Sequence, residues 1–171
     1  MDKIDDNVNK ILLNIDEGAK NTMQNLLDNI LTYFIVTKTE EKFKKIDMED
    51  LINDIISNIT VLIEENNTRI THNPLPCLKA DKSQITQLFH NLIINAIKFH
   101  GDEPPKIHIS AQKKENNWIF EFKYNRIVIE PLYQERIGFS LCEKIVQNHN
   151  GIIWIESKPG KCSMIFFTLP L

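Results

Sequence analysis

The spacing of apolar residues changes at about Lys106, and that change constrains the fold more than any other feature of the chain. Up to Gly101 apolar positions recur every three or four residues, the spacing of helices. From Lys106 they alternate. Ile107, Ile109 and Ala111 are separated by polar neighbours, as are Trp118, Phe120, Phe122 and Tyr124 after an Asn116-Asn117 turn, which predicts a hairpin. A helix over roughly Gly138 to Asn148, stopped by Asn150-Gly151, comes next. Two further strands, IIWIES and SMIFFTLP, flank a Lys158-Pro159-Gly160-Lys161 turn. This order predicts an α+β chain: a two-layer α/β sandwich with one mixed sheet and its helices on one face.

The helical half divides in three. From about Asp5 to Phe34 a stripe of Ile4, Val8, Ile11, Ile15, Ala19, Met23, Leu26, Ile30 and Phe34 runs in steps of three and four without a proline. A helix of ~30 residues is about 45 Å long, more than a small domain can cover. Part of the stripe therefore needs another helix, from a second copy or another protein, unless it folds back on its own domain. Thr37 to Lys45 reads as a polar linker. Asp47 then caps a second helix, with Asp50 at its third position and Leu51, Ile52, Ile55, Ile56, Ile59 and Leu62/Ile63 on its apolar face. Pro74 and Pro76 bracket a short extended segment through Leu78. Asp81 caps a third helix that ends at Gly101 as its C′ residue. The division expected is residues 1–45 as a long helix and linker, and 46–171 as the folded domain.

Hydrophobic residues at 42% and charged residues at 25% supply a core and argue against disorder. With a net charge of −3 and no basic block, nucleic acid is not an expected partner. No apolar run approaches the ~20 residues of a membrane-spanning helix, and MDKIDDNVNK is unlike a signal peptide. Cys77, Cys142 and Cys162 share no metal-ligand spacing, and their odd number suits a reduced, cytoplasmic setting.

The string QLFHNLIINAIKFHG, Gln87 to Gly101, resembles the N-box of sensor histidine kinases, roughly N-L-x-x-N-A-x-K-[FY], at Asn91, Leu92, Asn95, Ala96, Lys98 and Phe99. Asn91, Asn95 and Lys98 share one helix face. An amide oxygen can complete a Mg²⁺ shell made otherwise of water and phosphate oxygens, and a lysine adds a point charge. The resemblance covers nearly the whole chain. IDEGAKNTMQNLLDNILTYFIVTKTEEKFKKIDMEDLI is similar to a second dimerisation helix and linker. FHGDEPPKIHISAQ is similar to the segment after the N-box of phytochrome-like and PAS-linked kinases, and CEKIVQNHNGIIWIESKPGKCSMIFFTLP to the closing helix and strands. The resemblance implies a Bergerat-type ATP-binding fold, ATP and Mg²⁺ as cofactors, Asn95 as the metal ligand, and Asn91, Asn95, Lys98, Phe99 and Gly138 as the nucleotide-binding residues. Gyrase-like ATPases of the same fold carry a glutamate base where Asn91 stands; asparagine cannot take that proton, so gyrase-type hydrolysis is not expected.

Three departures from the family pattern weaken that chemistry. The G1 motif, D-x-G-x-G-I, reads YNRIVI: Tyr124 replaces the aspartate that would hold the adenine amino group, and Arg126 and Val128 replace its glycines. A carboxylate hydrogen bond of that kind contributes about 1.5–3 kcal/mol, and glycines there permit close backbone approach. The nucleotide lid is missing, because IEPLYQERIG runs straight to the next motif. That motif, normally G-x-G-x-G-[LI], survives as QERIGF, with Gly138 its only glycine and Glu135 set to repel phosphate. Kinases of this family phosphorylate a His in an H-[ED]-x-x-x-P context. None of His72, His90, His100, His108 or His149 has one, and each reads as a structural or surface residue. No catalytic residue is assigned.

The expectation is a degenerate histidine-kinase-like signalling module, a pseudokinase of two-component type. It would act through helix pairing as a homodimer or with a histidine kinase or response regulator, without phosphotransfer. The alternative is a residual ATP-binding kinase domain that phosphorylates a His on another chain. A fragment without a retained role is the third reading.

Overall fold

The computed structural model describes residues 43–98, 100–125, 133–158 and 162–171. The expected N-terminal helix, the polar segment up to residue 42, Phe99, the G1 residues Arg126 and Val128, and the Pro159-Gly160-Lys161 turn lie outside them.

Strand β1 (Phe43–Asp47) leads into helices α1 (Met48–Asn58) and α2 (Thr60–Glu65). Strands β2 (Arg69–His72) and β3 (Cys77–Asp81) precede helix α3 (Lys82–Lys98). The hairpin β4 (Lys106–Lys114) and β5 (Asn117–Tyr124), helix α4 (Tyr133–Asn148), and strands β6 (Ile153–Lys158) and β7 (Cys162–Pro170) complete the order. Five strands form a mixed sheet in the order β2-β4-β5-β7-β6, in which β2 runs parallel to β4 and the other neighbours are antiparallel. The pair β1-β3 makes a separate antiparallel ribbon.

Alternation places the core as the sequence predicts. Ile107 and Ile109 of β4, Phe120 and Phe122 of β5, and Ile165, Phe167 and Leu169 of β7 are all buried on one face. They meet Ile85, Leu88, Phe89, Leu92, Ile93 and Ile97 of α3, Leu51, Ile52 and Ile55 of α1, and Leu141, Ile145 and Val146 of α4. Phe120 stacks on Phe167 at 5.0 Å, and Phe89 meets both rings edge-on. The opposite face of the sheet carries no helix among the described residues; there Trp154 stacks on Phe166 at 5.3 Å. The expected two-layer α/β sandwich is the fold observed.

Several boundaries differ from expectation, each for a local reason. The C-terminal end of the Thr37–Lys45 linker is not a linker, because Phe43 onward pairs with β3. The sequence hides this strand, since Lys44 and Lys45 separate Phe43 from Ile46 by three residues instead of two. Strand β2 was not anticipated either. The second helix breaks at Ile59, where the Ser57 and Thr60 hydroxyls donate to the carbonyls of Asn53 and Ser57 and compete with the helix ladder. The hairpin turn is Glu115-Asn116, with Glu115 at φ 53, and Asn117 is already paired with Lys114. Gly101 is not the C′ residue of α3, which ends at Lys98; a Cβ on it would meet nothing within 4 Å.

The end of α4 is where the sequence signal and its cause part company. Gly151 N–H donates to Val146 O and Asn150 N–H to Gln147 O, the paired bonds of a Schellman turn. The left-handed residue is Asn150, at φ 55, and not the glycine. Gly151 is needed for space: a Cβ there would lie 1.9 Å from Thr168 O and 2.9 Å from Val146 Cγ1. Gly151→Ala is therefore expected to cost at least about 2 kcal/mol in urea unfolding. Asn150→Gly should stay within about 1 kcal/mol of the parent, because glycine adopts that φ freely. Equal losses for the two would contradict this division of roles.

Candidate functional site: the polar face of the third helix

Helix α3 is held in place at its first turn. The Asp81 carboxylate accepts from Ser83 N–H at 2.9 Å, Ser83 Oγ at 2.6 Å and Gln84 N–H at 3.2 Å, the N-cap the sequence predicts. Asp81 N–H donates to His149 Nε2 at 3.1 Å, and His149 Nδ1 lies 2.8 Å from Ile145 O. Those two bonds place the proton on Nδ1, because a nitrogen that accepts an N–H must hold a lone pair. Phe43 meets the His149 ring edge-on at 5.0 Å. His149 is buried, so its expected structural role is the one it has.

From that anchor, Gln84, Gln87, Asn91, Asn95 and Lys98 follow at steps of three and four along one face of α3. Gln84 Oε1 accepts from Asn148 Nδ2 at 3.0 Å, which joins the start of α3 to the end of α4. The two helices pack against each other and meet there N-end to C-end, so they run antiparallel. The first turns of α4 consequently lie toward the Lys98 end of α3. Asn91 is almost fully buried, Asn95 half-buried and Lys98 exposed. Three of the five expected nucleotide residues therefore share one face. Phe99 is outside the described residues.

Gly138 is not where it was expected. It lies inside α4, which begins at Tyr133, five residues earlier than the sequence suggests. A residue in a helix interior has its N–H committed to the backbone ladder, so Gly138 presents no free loop amide. Alternating glycines are what keep such a segment from coiling, and with one glycine left the remaining residues are ordinary helix formers.

Two buried amide nitrogens on this face, Gln84 Nε2 and Asn91 Nδ2, have no hydrogen-bond partner among the described residues. An unmet buried donor costs about 1–3 kcal/mol. Asn91 Oδ1 accepts from Gln87 Nε2 at 3.4 Å. An anionic oxygen would satisfy such a donor, so the α3 half of the site fits a metal–triphosphate. Gly138 lies in α4 and Tyr124 at the end of β5. Beside Asn91, burial holds the His90 imidazole below its ordinary value, and the Lys98 ammonium acts in the same direction.

A family model, the histidine kinase-, DNA gyrase B- and HSP90-like ATPase, matches residues 80–171. The chain belongs to this family. Cyanobacterial phytochrome A of Nostoc is 35% identical over 188 aligned positions, covering 99% of this chain and 24% of the relative. The chain spans about a quarter of the length of the curated relatives it matches first. Among solved structures, the Acinetobacter baumannii histidine kinase AdeS superposes with a TM-score of 0.74 at 18% identity, covering 94% of this chain and 82% of that one. Histidine kinase ThkA, in complex with response regulator protein TrrA, gives 0.72 at 22% identity, covering 93% and 50%. This is a histidine-kinase-type domain on an ATP-binding fold. Among the described residues no helix is long and apolar enough to cross a membrane.

Two outcomes follow. Asn91→Leu, which removes the unmet donor and keeps the volume close, should leave stability unchanged or raise it by up to about 1 kcal/mol; a loss above about 1 kcal/mol would mean the amide is already satisfied. The folded-state pKa of His90 lies below its unfolded value of 6.5, so the unfolded chain binds that proton first as pH falls. Its contribution to stability is whole above about pH 6.5 and declines below it. His90→Gln should flatten that part of the stability–pH curve, and an unchanged slope would contradict the assignment.

Proposed function

We propose that this chain is a degenerate histidine-kinase-like signalling module that works by protein–protein contact and has given up phosphotransfer. The observation that carries the reading is the continuity of α4 from Tyr133 through Gly138. The segment that would lend loose backbone amides to a triphosphate is coiled into a helix alongside the Asn91–Asn95–Lys98 face. Tyr124 in place of an adenine-holding carboxylate, and the short passage from β5 to α4, support it. So does the alignment with the Nostoc relative, whose 188 positions exceed the 171 residues here and require insertions in the relative. The family's ATP and Mg²⁺, with Asn95 as metal ligand, would find half a site.

In this reading residues 1–42 form the pairing element. Their apolar stripe would meet the same stripe in a second copy, or a helix of a histidine kinase or response regulator, as a module separate from the folded domain that begins at Phe43. No residue is assigned a catalytic role. A cytoplasmic setting suits such a partner.

The alternative, a residual kinase domain that phosphorylates a His on another chain, has Asn91, Asn95 and Lys98 in its favour. Calorimetry with ATP–Mg²⁺ separates the two. Our reading predicts no saturable heat that depends on Asn95 or Lys98 at millimolar nucleotide, and sedimentation as a dimer or as a complex with a two-component partner. A saturable ATP isotherm abolished by Asn95→Ala would favour the alternative; a monomer that captures neither kind of partner would count against the interaction role.

A further inference from the structure

Away from the α3 face, the helix-free side of the sheet holds a cavity of about 370 Å³ near the starts of β2 and β4 and the end of β5. Arg69, Lys106, His108 and Lys123 line it together with Thr71 and Asn125. Register explains why these side chains converge. Arg69 is the direct partner of Lys106, and Thr71 and Lys123 are the partners of His108 on either side. All five lie on the same face by alternation. Thr71 Oγ1 lies 2.9 Å from His108 Nδ1 and donates to Ile107 O at 3.3 Å. Asn125 fixes the entry to β4, accepting from Lys106 N–H at 2.8 Å and donating to Pro104 O at 3.1 Å.

Three cations in one cavity repel one another, and like charges directly opposite across strands, as Arg69 and Lys106 are, destabilise a sheet. Little within the domain offsets them. Lys106 reaches Glu103 at 3.2 Å, but both ends are exposed, and such pairs contribute little. Arg69 and Lys123 have no ion-pair partner among the described residues. Glu121 lies on the same face but does not line the cavity. Cations often guard sheet edges against mispairing. That accounts for Arg69 on edge strand β2 but not for Lys123, since β5 is central.

We propose that this cavity binds a small molecule carrying several phosphate groups, of the di- or polyphosphate class. The cations span three strands, about 10 Å at the usual strand spacing, so a single carboxylate or monophosphate reaches only part of them. Arginine offers planar paired donors to phosphate oxygens, and lysine a point charge. The volume falls in the ordinary range of small-ligand sites. The cavity shares no residue with the α3 face, and of the residues used in the nucleotide argument only Tyr124 also lines it.

The test is titration of inorganic tripolyphosphate into the full chain, followed by backbone amide shifts. Saturable shifts are expected at Arg69, Thr71, His108, Lys123 and Asn125, weakening as salt rises. The Arg69→Ala, Lys123→Ala double variant should lose at least tenfold in affinity while keeping a folded spectrum, and Lys82→Ala, an exposed lysine outside both sites, should bind as the parent does. Shifts confined to Asn91–Lys98 and abolished by Lys98→Ala would overturn the proposal, as would shifts linear in concentration through the millimolar range. Binding to phosphoinositide vesicles without binding to the free polyphosphate would also overturn it.

Discussion

The placement of the functional face depends on the bond from Asp81 N–H to His149 Nε2. Asp81 ends β3, pairs with Phe43 of β1, and caps α3 through its carboxylate. His149 follows α4 and is held in turn by Ile145 O. Four elements therefore meet at one buried, fully bonded junction, and the angle at which α3 leaves it fixes where Asn91, Asn95 and Lys98 stand over the sheet. A polar contact suits this role better than an apolar one, since hydrogen-bond direction defines orientation while hydrophobic burial is indifferent to it. The same junction ties Phe43, the first described residue, to the start of α3.

What stands across from that face decides what the domain can do. An ATP-binding fold of this family needs one rigid wall that presents amides and a cation, and one compliant wall that wraps phosphate with backbone. The first is built here to the point of leaving Asn91 Nδ2 buried without a partner among the described residues. In the proposed reading the second is replaced by the first turns of α4. The first would persist because it is also hydrophobic core: Leu88, Leu92, Ile93 and Ile97 pack from the same helix that carries the polar stripe.

Much of this was legible in the sequence, for identifiable reasons. Long periodic segments declared themselves: α3 by its apolar face and Asp81 cap, β4, β5 and β7 by alternation, the end of α4 by Asn150-Gly151. Short elements did not. Strands β1 and β2, at five and four residues, offer too few positions for a period to register, and they exist because partners in β3 and β4 receive them. The turn at Glu115-Asn116 was misplaced by one residue because two asparagines competed for it, and the glutamate took the left-handed position instead. The polar face of α3 was foreseen from the N-box resemblance, with the spacing putting its residues on one face. The extent of α4 was not, because Gly138 reads as a helix start while the helix begins at Tyr133. The basic cavity on the far side of the sheet was invisible, since register between strands distant in sequence creates it.

The central claim is that a helix now stands where a phosphate-binding loop would be. A crystal of the full chain grown with Mg²⁺ and a non-hydrolysable ATP analogue tests it most directly. The account predicts a continuous helix from Tyr133 through Asn148 and no ordered nucleotide against Asn91 and Asn95. An ordered analogue there, with residues 133–138 uncoiled around its phosphates, would contradict it.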